Sequence, residues 1–171
     1  MDRDDVGRLY DQHAAALYRF LVLRTEDAAL AEDLVAEAFE RVLRHRRRFD
    51  GRKASERTWL FAIALNALQD RRRRAAAERR AHQRLPAGAP AAPGPEERLA
   101  PDERAALRAA LGRLPDDEAD ALALRYGAGM TVPELAQTLD IPLTTAEGRV
   151  KRGLRRLRDE LGSAGARQAD T

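Results

Sequence analysis

Residues 131–158 read TVPELAQTLDIPLTTAEGRVKRGLRRLR, two helical segments joined by a tight turn. Thr131 and Glu134 stand at capping-box spacing, so hydroxyl and carboxylate can each satisfy a free backbone N–H at a helix start. Leu135, Ala136 and Leu139 then form one apolar face. Asp140-Ile141-Pro142 ends that helix, because proline disfavours the α conformation for the residue before it. The second segment carries Val150, Leu154, Leu157 and Leu161 at helical spacing for a core. Between them stand Arg149, Lys151, Arg152, Arg155, Arg156 and Arg158. A short helix, a turn and a basic second helix suit the DNA major groove. The same residues also describe an ordinary helical hairpin with a solvated basic face.

Composition sets the surroundings. The chain has 171 residues, enough for one domain or two small ones. Apolar residues make up 44% but aromatics only 5%, so its cores are built from alanine and leucine. There is no cysteine, which rules out disulfides and cysteine-based zinc sites and suits a reducing cytoplasm. No apolar run is long enough to span a membrane. The opening MDRDDVGRLYDQH is acidic and polar, unlike a signal peptide. Net charge is only +3, yet the isoelectric point is near 9.8 and the basic residues are clustered. Phosphates respond to that local field more than to the total. β-branched residues are scarce and alternation is absent, so the expected fold is all-α.

Asp4 or Asp5 can cap a first helix that ends near Leu23, with Val6, Leu9, Tyr10, His13, Leu17, Phe20 and Leu21 recurring at three- and four-residue steps. His13 lacks a second ligand at metal spacing and reads as an interhelical packing residue. A second helix spans about Ala28 to Arg46, with Ala31, Leu34, Val35, Ala38, Phe39 and Val42 as its buried stripe. Glu32, Asp33, Glu37 and Glu40 form an acidic patch opposite. That patch reads either as a solvated face or as a dock for a basic helix. No histidine accompanies it in the manner of helical di-metal sites, and nothing local would raise a carboxylate pKa. Residues 44–53, RHRRRFDGRK, lose the helical period and form a basic loop carrying one aromatic, Phe49. Ser55 can cap a third helix with Trp59, Leu60, Ile63, Ala64 and Ala67 inside. It runs into Asp70 and four arginines, Arg71 to Arg74, part of which suits a helix C-terminus electrostatically.

From residue 81 to 100 the proline- and alanine-rich composition predicts an extended linker. The second module opens at Pro101-Asp102-Glu103, and Leu107, Ala110, Leu111 and Leu114 line its first helix. Pro115 to Glu118 begins the next, with Ala119, Leu122, Ala123 and Tyr126 inside and Gly127 as a stopping glycine. The helix-turn-helix closes the module. The expected organisation is therefore a helical domain at 4–80, a linker at 81–100, a helix-turn-helix domain at 101–161 and a disordered tail at 162–171.

Taken together these blocks resemble bacterial RNA polymerase sigma factors of the extracytoplasmic-function (ECF) group. The blocks are LYDQHAAALYRFL, AEDLVAEAFERVLRHRRRFDG and RTWLFAIALNALQDRRRR, then LRAALGRLPDDEADALALRYGAGMTVPELAQTLDIPLTTAEGRVKRGLRRLR. Their order around a proline-rich linker carries more weight than any one motif. The resemblance implies that Asp33, Leu34 and Glu37 dock on the clamp helices of the largest polymerase subunit. It implies that the loop from Arg46 to Ser55, with Arg47, Arg48, Phe49, Arg52 and Lys53, opens and reads the minus-10 promoter element together with Trp59, Asn66 and Arg71. It implies that Thr145, Glu147, Gly148, Arg149, Lys151, Arg152 and Arg156 face the minus-35 element. The implied partners are core RNA polymerase, including the flap of its second-largest subunit, promoter DNA, and an anti-sigma factor of the kind that holds many relatives between their two modules. No cofactor, metal or catalytic residue is implied, and no membrane insertion.

Three departures from the family pattern stand out. Ala36 replaces the usual glutamine of the docking helix. Glu147 and Gly148 stand where a basic and a small polar residue are common. Glu147 either accepts a hydrogen bond from cytosine N4 or forms a second capping box with Thr144. Leu60 follows Trp59 where housekeeping relatives resemble a tryptophan pair, which implies weaker strand opening and a stricter promoter. The competing readings are an autonomous helix-turn-helix regulator, which binds a palindromic site unaided, and a helical enzyme using the acidic patch.

Overall fold

The computed structural model describes residues 1–82 and 101–168, and the chain divides into two compact units, one in each part. All regular structure among these residues is helical. The expected linker at 83–100 lies outside the described residues.

The first unit holds α1 (Arg3–Thr25), α2 (Ala28–His45), a short 3-10 turn (Arg46–Arg48) and α3 (Glu56–His82). Asp2, not Asp4 or Asp5, caps α1. Its carboxylate accepts from Asp5 N at 2.8 Å while Asp5 accepts from Asp2 N at 2.7 Å. That backbone N–H and Arg8 hold the Asp5 carboxyl below the usual range. The helix ends two residues later than expected, at Glu26 in the left-handed conformation. Asp27 immediately caps α2 through Leu30 N at 3.0 Å. Ser55 caps α3 through Thr58 N at 3.1 Å, and α3 runs to His82, past the expected boundary at 80.

Leu9, Leu17, Phe20 and Leu21 of α1 meet Ala31, Leu34, Ala38 and Val42 of α2 and Leu60, Phe61, Ala64 and Leu68 of α3, all buried. The Phe20 and Phe61 rings lie 5.9 Å apart at 56°, a tilted aromatic pair at the centre of the unit. His13 is half-buried, and burial together with the Arg57 charge holds its pKa below the usual 6.5. Tyr10 was expected inside but is 51% exposed. Its ring sits against Phe39, centroids 4.9 Å apart, at the rim where the stripe of α1 meets solvent.

The second unit holds α4 (Pro101–Gly112), α5 (Asp116–Leu122), a π-helical turn (Ala123–Gly127), α6 (Val132–Leu139) and α7 (Leu143–Gln168). Tyr126 was expected in its core and is 56% exposed. The π turn is the reason. Ala128 N bonds Ala123 O at 3.0 Å, one residue further back than in an α-helix, so the register slips and Tyr126 swings outward. The chain turns at Gly129 with φ +69, not at Gly127, which is buried.

The Thr131–Glu134 capping box forms, with Thr131 N to Glu134 Oε2 at 2.8 Å. At the other end of α6, Asp140 takes φ 51, ψ 50. Ile141 N donates to Ala136 O and Asp140 N to Gln137 O, the paired bonds of a Schellman ending. α7 continues to Gln168, beyond the boundary expected at Leu161, so residues 162–168 extend the helix rather than form a loose tail.

The buried line of α7 also differs from expectation. Ala146 and Gly153 are buried, whereas Val150, Leu154, Leu157 and Leu161 are only half-buried. A Cβ at Gly153 would lie 3.1 Å from Leu122 side-chain carbons and 3.4 Å from Glu118 O. Glycine therefore lets α5 approach α7 closely, and the long leucines lie at the sides of that contact.

Candidate polymerase and nucleic-acid interfaces

On α2 the acidic patch separates into two kinds of carboxylate. Glu32, Asp33 and Glu40 are exposed. Glu37 instead pairs with Arg41, four residues on, and Arg41 reaches across to Asp70 of α3 at 3.2 Å. Arg41 and Arg73 together hold the Asp70 carboxyl below its usual range. This network ties α2 to α3. Leu34 is fully buried and cannot itself touch a partner, contrary to the role that the resemblance implied for it. Beside the patch a shallow groove of about 430 Å³ runs between α1 and α2, lined by Tyr10, Ala14, Tyr18, Glu32, Val35 and Ala36. Ala36, exposed on α2, contributes a small apolar side chain to that wall.

The basic loop is ordered by its own turn chemistry. Arg46–Arg48 form the 3-10 turn, Asp50 Oδ1 accepts from Arg52 N at 3.0 Å, and Asp50 O accepts from Lys53 N at 3.0 Å. Arg47, Arg48, Arg52 and Lys53 are exposed. The Phe49 ring folds back onto Trp59, centroids 5.2 Å apart at 49°, and both residues are half-buried. An apolar shelf flanked by cations results, suited to an unstacked base and its phosphates. Asn66 is exposed seven residues after Trp59 and continues that face of α3. Arg71 is exposed too, but twelve residues after Trp59 places it about a third of the way round the helix. Arg72 turns inward and donates to Arg24 O at 3.0 Å, closing the end of α1, so part of the arginine run is structural.

On α7 the predicted residues fall into two groups. Glu147, Gly148, Lys151, Arg155 and Arg158 recur at three- and four-residue steps; Gly148 is half-buried and the other four are exposed. Thr145 is half-buried near the helix start. Arg149, Arg152 and Arg156 lie on the flank toward α5. Arg149 Nε is 3.3 Å from Asp117 Oδ2, Arg152 Nε is 3.3 Å from Glu118 Oε1, and Arg156 Nε is 3.0 Å from Glu118 Oε2. Glu118 is only 3% exposed. The capping role for Glu147 is ruled out. α7 starts at Leu143, with Ala146 N bonded to Pro142 O at 3.0 Å, so Thr144 is already inside the helix.

Comparison with known proteins decides what carries these surfaces. Residues 9–78 match the family Sigma-70 region 2, and residues 110–159 match Sigma-70, region 4. The chain is 32% identical over 157 residues to the ECF RNA polymerase sigma factor SigL of Mycobacterium tuberculosis, covering 92% of this chain and 89% of that one. The chain belongs to the ECF RNA polymerase sigma factors. As such it is a transcription initiation factor that directs RNA polymerase to promoters.

The fold agrees with that of two solved structures. RpoE from Bartonella quintana, solved in complex with the anti-sigma factor NepR, superimposes with a TM-score of 0.79 at 21% identity, covering 92% of this chain and 97% of that one. CnrH, solved with the cytosolic domain of CnrY, superimposes with a TM-score of 0.71 at 25% identity, covering 95% and 90%. Two features of this sigma factor escape sequence reading. Asp117 and Glu118 read there only as a helix start, yet they anchor three of the arginines of α7. The Arg41 bridge joins residues 29 apart in the chain. No periodicity signals either pairing.

Proposed function

We propose that the first unit of this sigma factor docks on the clamp helices of the polymerase largest subunit through the exposed acids around Asp33. Glu37 contributes as part of the Arg41 network. The 46–55 loop, with the Phe49–Trp59 shelf and Asn66, captures an unpaired minus-10 base, and the exposed arginines hold the adjoining phosphates. The second unit lays the Glu147–Lys151–Arg155 face of α7 in the major groove of the minus-35 element and also meets the polymerase flap. Linked recognition raises the effective concentration of the second contact once the first has formed. The reaction chemistry stays with the polymerase, and this chain supplies binding energy alone. An anti-sigma factor that covers either unit would block it, a reading supported by the structural neighbour RpoE, solved with the anti-sigma factor NepR.

One observation carries the proposal: region 2 and region 4 matches fall on the two units whose exposed faces carry the acidic dock, the aromatic shelf and the basic helix. Run-off transcription with purified core polymerase on a promoter library tests it. Specific transcripts should appear only when the chain is added. Tight binding to a palindromic site without polymerase, and no transcripts with it, would favour an autonomous regulator instead.

Glu147 supplies a second test. It is exposed and, among the described residues, makes no hydrogen bond or ion pair, and its capping role is excluded. A carboxylate there accepts from cytosine N4 and repels phosphate. Glu147→Arg should change the preferred base at one minus-35 position, by about 1–3 kcal/mol of discrimination, in selection from randomised minus-35 DNA. An unchanged preferred sequence rejects base reading by Glu147.

A further inference from the structure

Arg152 is held at one point and passes close to a second. Its Nε lies 3.3 Å from Glu118 Oε1, so the inner edge of the guanidinium is occupied by a buried carboxylate. Its outer end lies over Gly148: a Cβ built there would stand 3.0 Å from Arg152 Nη1, 3.8 Å from Cζ and 4.0 Å from Nη2. The terminal nitrogens have no partner among the described residues. Glu118 is itself enclosed: Gly153 lets α5 lie close against α7, and Arg156 Nε stands 3.0 Å from its second oxygen as an ion pair without hydrogen-bond geometry.

We propose that Glu118 and Gly148 are positioning residues that aim the Arg152 guanidinium across the exposed face of α7, so that its two terminal nitrogens grip one guanine of the minus-35 element. This rests on the reading of α7 as the minus-35 helix. The geometry gives the reason. A free arginine side chain loses rotamer freedom when it binds, whereas one held at Nε has already lost part of it. With Nε occupied, the remaining edge is the pair of terminal nitrogens, the fork that matches O6 and N7 of guanine. A Cβ at position 148 would stand 3.0 Å from Nη1, so the fork would have to shift by a few tenths of an ångström. The displaced atoms are the far end of a flexible side chain, so the arginine gives way while the helix stays.

The test uses the full chain with core polymerase, a library randomised at minus-35, and thermal unfolding of each variant. Arg152→Ala should flatten preference at one base pair, where the parent selects guanine. Gly148→Ala should flatten that same base pair by about tenfold while raising Tm, since alanine replaces glycine within a helix. Glu118→Leu should flatten it too, and Glu118→Gln, which keeps an acceptor oxygen, should retain the preference. Gly148→Ala added to Arg152→Ala should change nothing further at that position.

If Gly148→Ala and Glu118→Leu leave the Arg152 position as selective as in the parent, the inference is wrong and the minus-35 reading survives. Should Arg152→Ala alter no position, base reading by Arg152 falls with it. Equal flattening at all positions, or a loss that accompanies a fall in Tm for Gly148→Ala, would mean a merely structural role and overturn the proposal.

Discussion

Asp33→Arg should weaken binding of core RNA polymerase by more than about a hundredfold while leaving thermal unfolding of the chain unchanged. Asp33 is exposed on α2 and makes no hydrogen bond or ion pair among the described residues. Substitution at such a site shifts stability by no more than about 0.5 kcal/mol. Against a basic partner helix the effect is different, because like charges placed face to face cost several kcal/mol, and about 1.4 kcal/mol is tenfold in affinity. Titration of labelled chain with core polymerase at two salt concentrations checks both parts. The loss should shrink as salt rises, since exposed charges are screened. Parent-like affinity at low salt would remove Asp33 from the docking surface. Glu37 is a poorer choice for this test. Removing it leaves Arg41 with Asp70 alone, so binding and the α2–α3 junction would change together.

Leu34→Ala should destabilise the first unit by about 2–5 kcal/mol, the usual cost of truncating a fully buried leucine. Leu34 has no exposed surface, and it sits among the buried side chains of three helices. Against a folding reserve of about 5–15 kcal/mol that is a large fraction. The variant should melt well below the parent in a thermal scan, yet bind polymerase normally at temperatures where it is still folded. Lost binding with an unchanged melting temperature would make Leu34 a direct contact and contradict its burial. Paired with Asp33→Arg, this variant separates two neighbours on one helix turn, one facing the partner and one facing the core.

Helix positions were legible in the chain because local rules decide them. The Thr131–Glu134 box, the Ser55 cap and the start of α4 at Pro101 depend on residues within one turn of each other. Core stripes were legible where a helix keeps its 3.6-residue period. Tyr126 fails because a π turn breaks that period. Tyr10 fails because its position on the stripe is at the edge, where the amphipathic pattern does not distinguish rim from interior. The leucines of α7 were assigned to a core that Ala146 and Gly153 occupy instead. Close helix approach favours small residues, and hydrophobicity alone ranks leucine above glycine.

The order of the helices, the capping residues, the basic and acidic clusters and the membership of a sigma-factor family follow from the linear chain, because each rests on residue types at short or fixed separations. Which charges are already paired within the chain was decided only by tertiary packing. Four-residue spacing puts Glu37 within reach of Arg41, but only the packing of α2 on α3 adds Asp70 to the pair. The arginines at 149, 152 and 156 look alike in sequence to those at 155 and 158, yet only the first group is paired with Asp117 and Glu118. An ion pair across 34 residues forms only once two helices have come together, and nothing in the local pattern of either helix encodes its partner.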